Sequence, residues 1–177
     1  MIFIIIIIVI VVIIISYIYF KKENLTNDSS CGCVFDLDDT LTCGQERAKE
    51  AINYCKMKNC KIAINTARPT KWYSDIKLSQ LNLNEDDFND DFYHYDFNNN
   101  CTFASNSCLQ ESIANNKVKH LQTFSRKWNI KPNKIVLFDD QITNIKFAKN
   151  AGFSAIHANH VNCGIPNSIT NVLETIF

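Results

Sequence analysis

The sequence predicts an α/β domain: a three-layer sandwich with helices on both faces of a central, mostly parallel sheet. Three observations carry this prediction. Short apolar runs alternate with stretches of helical length over most of the chain, as βαβ units require. The 177 residues are enough for one domain with a sizeable core. Gly (4) and Pro (3) are too scarce for a flexible linker between two bodies, and no internal repeat divides the chain.

The elements follow in order. "CGCVFDL" from Cys31 reads as the first strand. "CGQERAKEAINYCKMKN" is an amphipathic helix, with Ala48, Ala51, Ile52 and Cys55 near helical spacing. "CKIAINT" is the second strand, and "PTKWYSDIKLSQLNL" opens a second helix behind Pro69. "FYHYDF" is a weak third strand. "ESIANNKVKHLQTFSRKWNI" is a long helix, "KIVLFDD" the fourth strand, and "QITNIKFAKNAG" a helix stopped by Gly152. "FSAIHA" is the last strand.

The N-terminus differs in kind. Ile2 to Phe20 carries no charge and ends at Lys21-Lys22. An uncharged run of this length suits a helix crossing a hydrocarbon core of about 30 Å, and no ordinary strand is so long. It lacks the basic start and small-residue cleavage site of a signal peptide. The expectation is therefore a single-pass membrane anchor over residues 1–20, a polar stem over 21–30 and a folded domain over 31–177. Lys21 and Lys22 favour the cytosol for that domain. Eight cysteines, and sequons at Asn24, Asn27 and Asn100, favour an oxidising lumen or exterior, so the side stays open.

In open parallel sheets, ligands sit beyond the carboxyl ends of the strands. Asp36 and Asp38 close the first strand, Thr66 the second, and Asp139 and Asp140 the fourth. Any one of these endings could be a turn former. Three at one edge point to a site. Crowded carboxylates repel one another unless a cation or a reaction uses them.

These residues resemble those of the haloacid dehalogenase superfamily. "DLDDTLT" is similar to its Asp-x-Asp-x-Thr first motif, "IAINTAR" to its second and "VLFDDQITN" to its acidic fourth. The third motif is a helix lysine, for which Lys117 is the choice and Lys119 the alternative. The resemblance spans roughly Cys31 to Ala158 and implies a Rossmann-like fold of the small type without a large cap domain.

It also implies a chemistry. Asp36 would attack phosphorus and form an aspartyl phosphate. Asp38 would protonate the leaving oxygen and then activate water. Thr66, Lys117 and Thr40 would contact the substrate, with Lys117 neutralising phosphoryl charge. Mg2+ would be held by Asp36, the Asp38 main-chain carbonyl and Asp140, with Asp139 adjacent. Asn144 falls where the commoner pattern has a second acid. Having Asp38 favours phosphoryl transfer over dehalogenation. The first cap position, between Thr42 and Lys61, has room for one helix. The second, before Lys117, holds a long decorated loop, so the mouth should be open.

Other features have plainer readings. "NEDDFNDD" lacks the Gly and terminal Glu of a calcium loop and reads as a solvated acidic loop. His157, His160 and Cys163 suggest zinc, but a strand end and loop explain them better. Cys33 reads as a buried thiol, and Trp72 and Trp128 as core or groove residues. The expected partners are a phosphorylated substrate and, through residues 2–20, a membrane. With 18 Lys+Arg against 18 Asp+Glu, no nucleic acid is expected. The rival functions are a catalytically silent scaffold, which loss of Asp36 or Asp38 would signal, and a nucleic-acid end-processing phosphatase.

Overall fold

The computed structural model describes residues 10–16, 29–68, 70–88, 106–159, 165–166 and 169–177. Four parallel strands form the sheet in the order β2-β1-β3-β4: β1 Gly32–Phe35, β2 Lys61–Ile64, β3 Ile135–Asp139 and β4 Ser154–His157. The helices are α1 Gln45–Met57, α2 Lys71–Gln80, α3 Asn106–Trp128, α4 Ile142–Asn150 and α5 Ile169–Ile176. The expected strand "FYHYDF" lies outside the described residues, as do His160, Cys163 and the asparagines of the three sequons.

Side chains alternate across the sheet, and both faces are covered. Cys33, Phe35, Ile62, Ile64, Val136, Phe138 and Ile156 face one core with α1, α2 and α5. Val34, Ala63, Ile135, Leu137 and Ala155 face the other with α3 and α4. Three layers result, because each strand is apolar on both sides and each helix has one apolar stripe to bury. Phe35 stacks on Phe138 at 4.5 Å and ties β1 to β3.

The helices end in a repeated way. Asn59, Asn82, Asn129 and Gly152 follow α1, α2, α3 and α4 in the left-handed region, at φ of 55°, 52°, 54° and 87°. In each case the next N–H reaches back across the last turn: Cys60 to the Cys55 carbonyl, Leu83 to Leu78, Ile130 to Ser125 and Phe153 to Ala148. Asn tolerates this conformation nearly as well as Gly, and the motif turns the chain toward the next strand.

Two disulfides fasten β1. Cys31 pairs with Cys60 and Cys33 with Cys55. Cys33 is thus half of a cystine and not a buried thiol. Its side chain points to the α1 face of the sheet, where Cys55 lies on the buried stripe. Trp128 is in the core, stacked on Phe124 at 4.6 Å, whereas Trp72 is 71% exposed.

The expected anchor needs correction. Within the apolar run only residues 10–16 are described, and they are helical. Among the described residues no helix is long and apolar enough to cross a membrane. The single-pass segment over residues 2–20, and the membrane localisation built on it, are withdrawn.

Gly32 has no room for a side chain. A Cβ there would lie 2.7 Å from Trp128 Cζ3 and 3.2 Å from Ile135 Cγ1. The ring is held by Phe124 and cannot swing away freely. Gly32→Ala should lower stability by about 1–3 kcal/mol, read as a reduced urea midpoint. An unchanged midpoint would mean that the α3 end repacks at no cost.

Candidate active site

The strand order reverses at β1, with β2 on one side and β3 on the other. That switch point opens a crevice at the carboxyl ends of the strands. Asp36 follows β1, and its N–H donates to the Phe138 carbonyl at 2.8 Å, extending the ladder by one residue. Asp139 ends β3 and Asp140 follows it. The backbone after Asp36 winds through residues 37–41, with Asp39 left-handed at φ 55° and its N–H capped by Thr42 Oγ1 at 2.9 Å. This turn places Asp38 on the rim, two residues from Asp36.

Lys117 comes from α3 and joins the two strands. Its Nζ donates to Asp36 Oδ1 at 2.7 Å and to Asp139 Oδ2 at 2.5 Å, and all three residues are buried. Burial would lower the ammonium pKa, but Asp139 and Asp36 outweigh it and hold Lys117 protonated well above its ordinary range. Asp36 behaves in the opposite sense. Its carboxyl is raised to about 7: burial is the largest cause, Lys117 pulls against it, and Asp139 and Asp140 add to it. Asp140 is also raised, first by burial and then by Asp139.

Oxygens of Asp36, Asp139 and Asp140 lie within 4.8 Å of one another. One ammonium cannot neutralise three carboxylates, and an all-oxygen set of this kind suits a hard divalent cation. The three are not equivalent. Asp36 and Asp140 line a cavity of about 230 Å3, together with Asp38, Arg68, Lys117, Gln141 and Asn144. Asp139 lies beneath it. Its Oδ1 accepts from the Gln141 N–H at 2.9 Å and Asn144 Nδ2 at 2.8 Å, and its Oδ2 from Lys117. His157 Nε2 is 2.8 Å from the Asp140 carbonyl, which can only accept, so Nε2 carries the hydrogen.

Asp38 is held by two side chains that the sequence reading did not single out. Arg68 Nε donates to its Oδ2 at 2.6 Å and the Tyr73 hydroxyl to its Oδ1 at 2.8 Å. The Arg68 guanidinium stacks over the Tyr73 ring at 4.5 Å. Hydrogen bonding to Asp38 raises Arg68, while burial and then its own hydrogen bond to Asp38 raise Tyr73. The available signal was position: Arg68 stands two residues past Thr66, at the same strand edge.

The expected substrate contacts divide. Lys117 reaches the cavity, and Lys119, the alternative, is exposed on α3. Thr66 is buried, and its Oγ1 accepts from the Arg68 N–H at 3.3 Å. Thr40 is buried, with its hydroxyl unpartnered among the described residues. Neither threonine lines the cavity.

A sequence profile of haloacid dehalogenase-like hydrolases matches residues 33–158, which contain all of the sheet but Gly32 and every site residue above. The chain belongs to the haloacid dehalogenase-like hydrolases. Among solved structures, it is similar to the core domain of a protein assigned as a phosphoglycolate phosphatase from Streptococcus pneumoniae, at 18% identity and a TM-score of 0.54, over 83% of this chain and 97% of that one. It also matches a protein assigned as a β-phosphoglucomutase from Thermotoga maritima, at 23% identity and a TM-score of 0.45, over 73% of this chain and 59% of that one. No curated protein matches. At these identities the structural likeness concerns the fold, and this haloacid dehalogenase-like hydrolase carries its own evidence for chemistry in the side chains.

Proposed function

We propose that the protein is a Mg2+-dependent phosphatase acting on a phosphate monoester. The observation that carries this reading is the Asp36 carboxylate at the cavity floor, bonded to Lys117, with Asp140 beside it and Asp38 on the rim. In the first step an Asp36 oxygen bonds to phosphorus as the ester bond breaks, and Asp38 gives its proton to the leaving oxygen. In the second, Asp38 takes a proton from water as that water attacks phosphorus. The acyl phosphate bond breaks, freeing inorganic phosphate and Asp36. Lys117 offers a fixed positive charge to the transferring group. Asp38 must turn from Arg68 to deliver its proton.

Asp36 and Asp140 would hold Mg2+ with the Asp38 main-chain carbonyl, and Asp139 supports them by fixing Lys117. When bound, the ion supplies charge neutralisation between the nucleophile and the phosphate dianion. The balanced charge of the chain supports a small or exposed phosphate ester over a nucleic acid.

Stripping with EDTA should abolish hydrolysis of p-nitrophenyl phosphate. Mg2+ should restore it and Ca2+ should restore it poorly, because the looser calcium shell misplaces Asp36. The metal needs the Asp36 carboxylate, and the metal-free carboxyl is pushed up to about 7. Mg2+ affinity should therefore be full above pH 7 and weaken about tenfold per pH unit below it. Full turnover in metal-free protein would refute the reading.

A further inference from the structure

Lys117 must reach carboxylates on two different strands from a helix that belongs to neither, so something has to set the position of α3. Asn65 stands at the required place. Its N–H donates to the Phe35 carbonyl at 2.9 Å, which fixes its backbone to the end of β1, one residue before Asp36. Its side chain is fully buried and leaves the sheet for α3. There Nδ2 donates to the main-chain carbonyl of Lys117 at 3.0 Å, and Oδ1 meets His120 Nδ1 at 2.9 Å.

The chemistry of the groups fixes the orientation. The Lys117 carbonyl can only accept, so the amide nitrogen must face it. Oδ1 then faces His120, and because that oxygen only accepts, His120 Nδ1 carries a hydrogen. The amide thus grips two points one helical turn apart on one face of α3, a carbonyl and a ring. Two points fix the helix against both sliding and rotation, where one would fix neither. The gripped carbonyl belongs to the residue whose ammonium bridges Asp36 and Asp139.

We infer that Asn65 is a positioning residue for Lys117, holding the ammonium in register with the two carboxylates through the paired contacts to α3. The inference rests on the phosphatase reading for its kinetic consequence but not for its geometry. Asn65→Leu keeps the side-chain size and removes both bonds. A lysine displaced by about 1 Å forfeits up to about 100-fold in rate.

The test uses the full chain and p-nitrophenyl phosphate with Mg2+. Asn65→Leu should lower kcat about 10- to 100-fold, with KM within about threefold. The loss should vanish when measured in a Lys117→Met background, because Asn65 acts through Lys117. Nitrogen NMR should find the His120 Nδ1–H tautomer in the wild type and lose it in Asn65→Leu. A kcat within about twofold of wild type, or an equal loss in the Lys117→Met background, would overturn the inference. If wild-type protein hydrolyses no phosphate ester, the function proposal fails on its own. The Lys117 Nζ resonance then decides the positioning: broadening in Asn65→Leu supports it and an unchanged signal refutes it.

Discussion

Asp36→Asn is expected to lower turnover on the order of 10^4-fold or more while leaving the protein folded. The amide is nearly isosteric and cannot form an acyl phosphate under these conditions. The stability effect has a definite sign. The folded state raises the Asp36 carboxyl from 3.8 to about 7, so folding opposes its ionisation. Below pH 3.8 the carboxyl is protonated folded and unfolded, and there is no penalty. Between 3.8 and 7 the unfolded chain ionises first, and stability falls as pH rises. Above 7 the full penalty is present. Metal-free Asp36→Asn escapes it. Its melting temperature should match or exceed that of metal-free wild type at pH 8, and the advantage should disappear at pH 3.5. A variant less stable than wild type at pH 8 would mean that the bond to Lys117 outweighs burial and repulsion.

Lys117→Met is expected to be the most damaging change to stability at the site. It leaves Asp36 and Asp139 buried, adjacent and without their shared cation. Breaking a buried pair from one side costs about 3–5 kcal/mol, and losing the charge on the phosphoryl group costs about 10^2- to 10^3-fold in kcat. The raised ammonium stays charged throughout the neutral range, so the pH dependence comes from its partners. As pH falls below 7, Asp36 takes up a proton and needs the ammonium less. Urea denaturation at pH 8 should show the full deficit, and at pH 5 a smaller one. A deficit that grows on acidification would contradict the assignment of Lys117 as partner to Asp36.

Much of this site was legible in the sequence because several polar strand endings converge on one edge of a parallel sheet, where any one alone could be a turn former. Asp36 interrupts an apolar run, Asp139 and Asp140 end one, and a parallel sheet brings such positions to one edge. Lys117 was expected near a helix start, but α3 begins at Asn106 and Lys117 reaches that edge from the middle of the helix. What periodicity does not encode is the direction of a polar side chain. Asn65 read as the polar end of "IAIN", and nothing in the pattern told that its amide crosses to α3. Arg68 and Tyr73 meet Asp38 only because α2 begins three residues after Arg68 and carries Tyr73 back over the rim.

The fold was readable for the same reason and failed where the signal was short or chemical. Helix α5 was not anticipated, although Ile169, Leu173 and Ile176 keep helical spacing. An eight-residue stretch gave too little pattern to separate from loop. The asparagine helix ends were hidden in a chain rich in asparagine. Cysteine pairing needs three-dimensional proximity: Cys33 and Cys55 meet because one strand residue and one helix stripe share a core. The apolar N-terminal run was over-read, because length and hydropathy alone do not establish a spanning helix.

The central claim is that the Asp36 carboxylate bonds covalently to phosphorus. Borohydride reduces an acyl phosphate to the alcohol, so turnover with Mg2+ and substrate in its presence marks the nucleophile chemically. The account predicts conversion of Asp36 to homoserine, found by peptide mass spectrometry, dependent on substrate and absent in EDTA. Continued turnover with Asp36 unmodified, or the mark on Asp38, Asp139 or Asp140 instead, would contradict it.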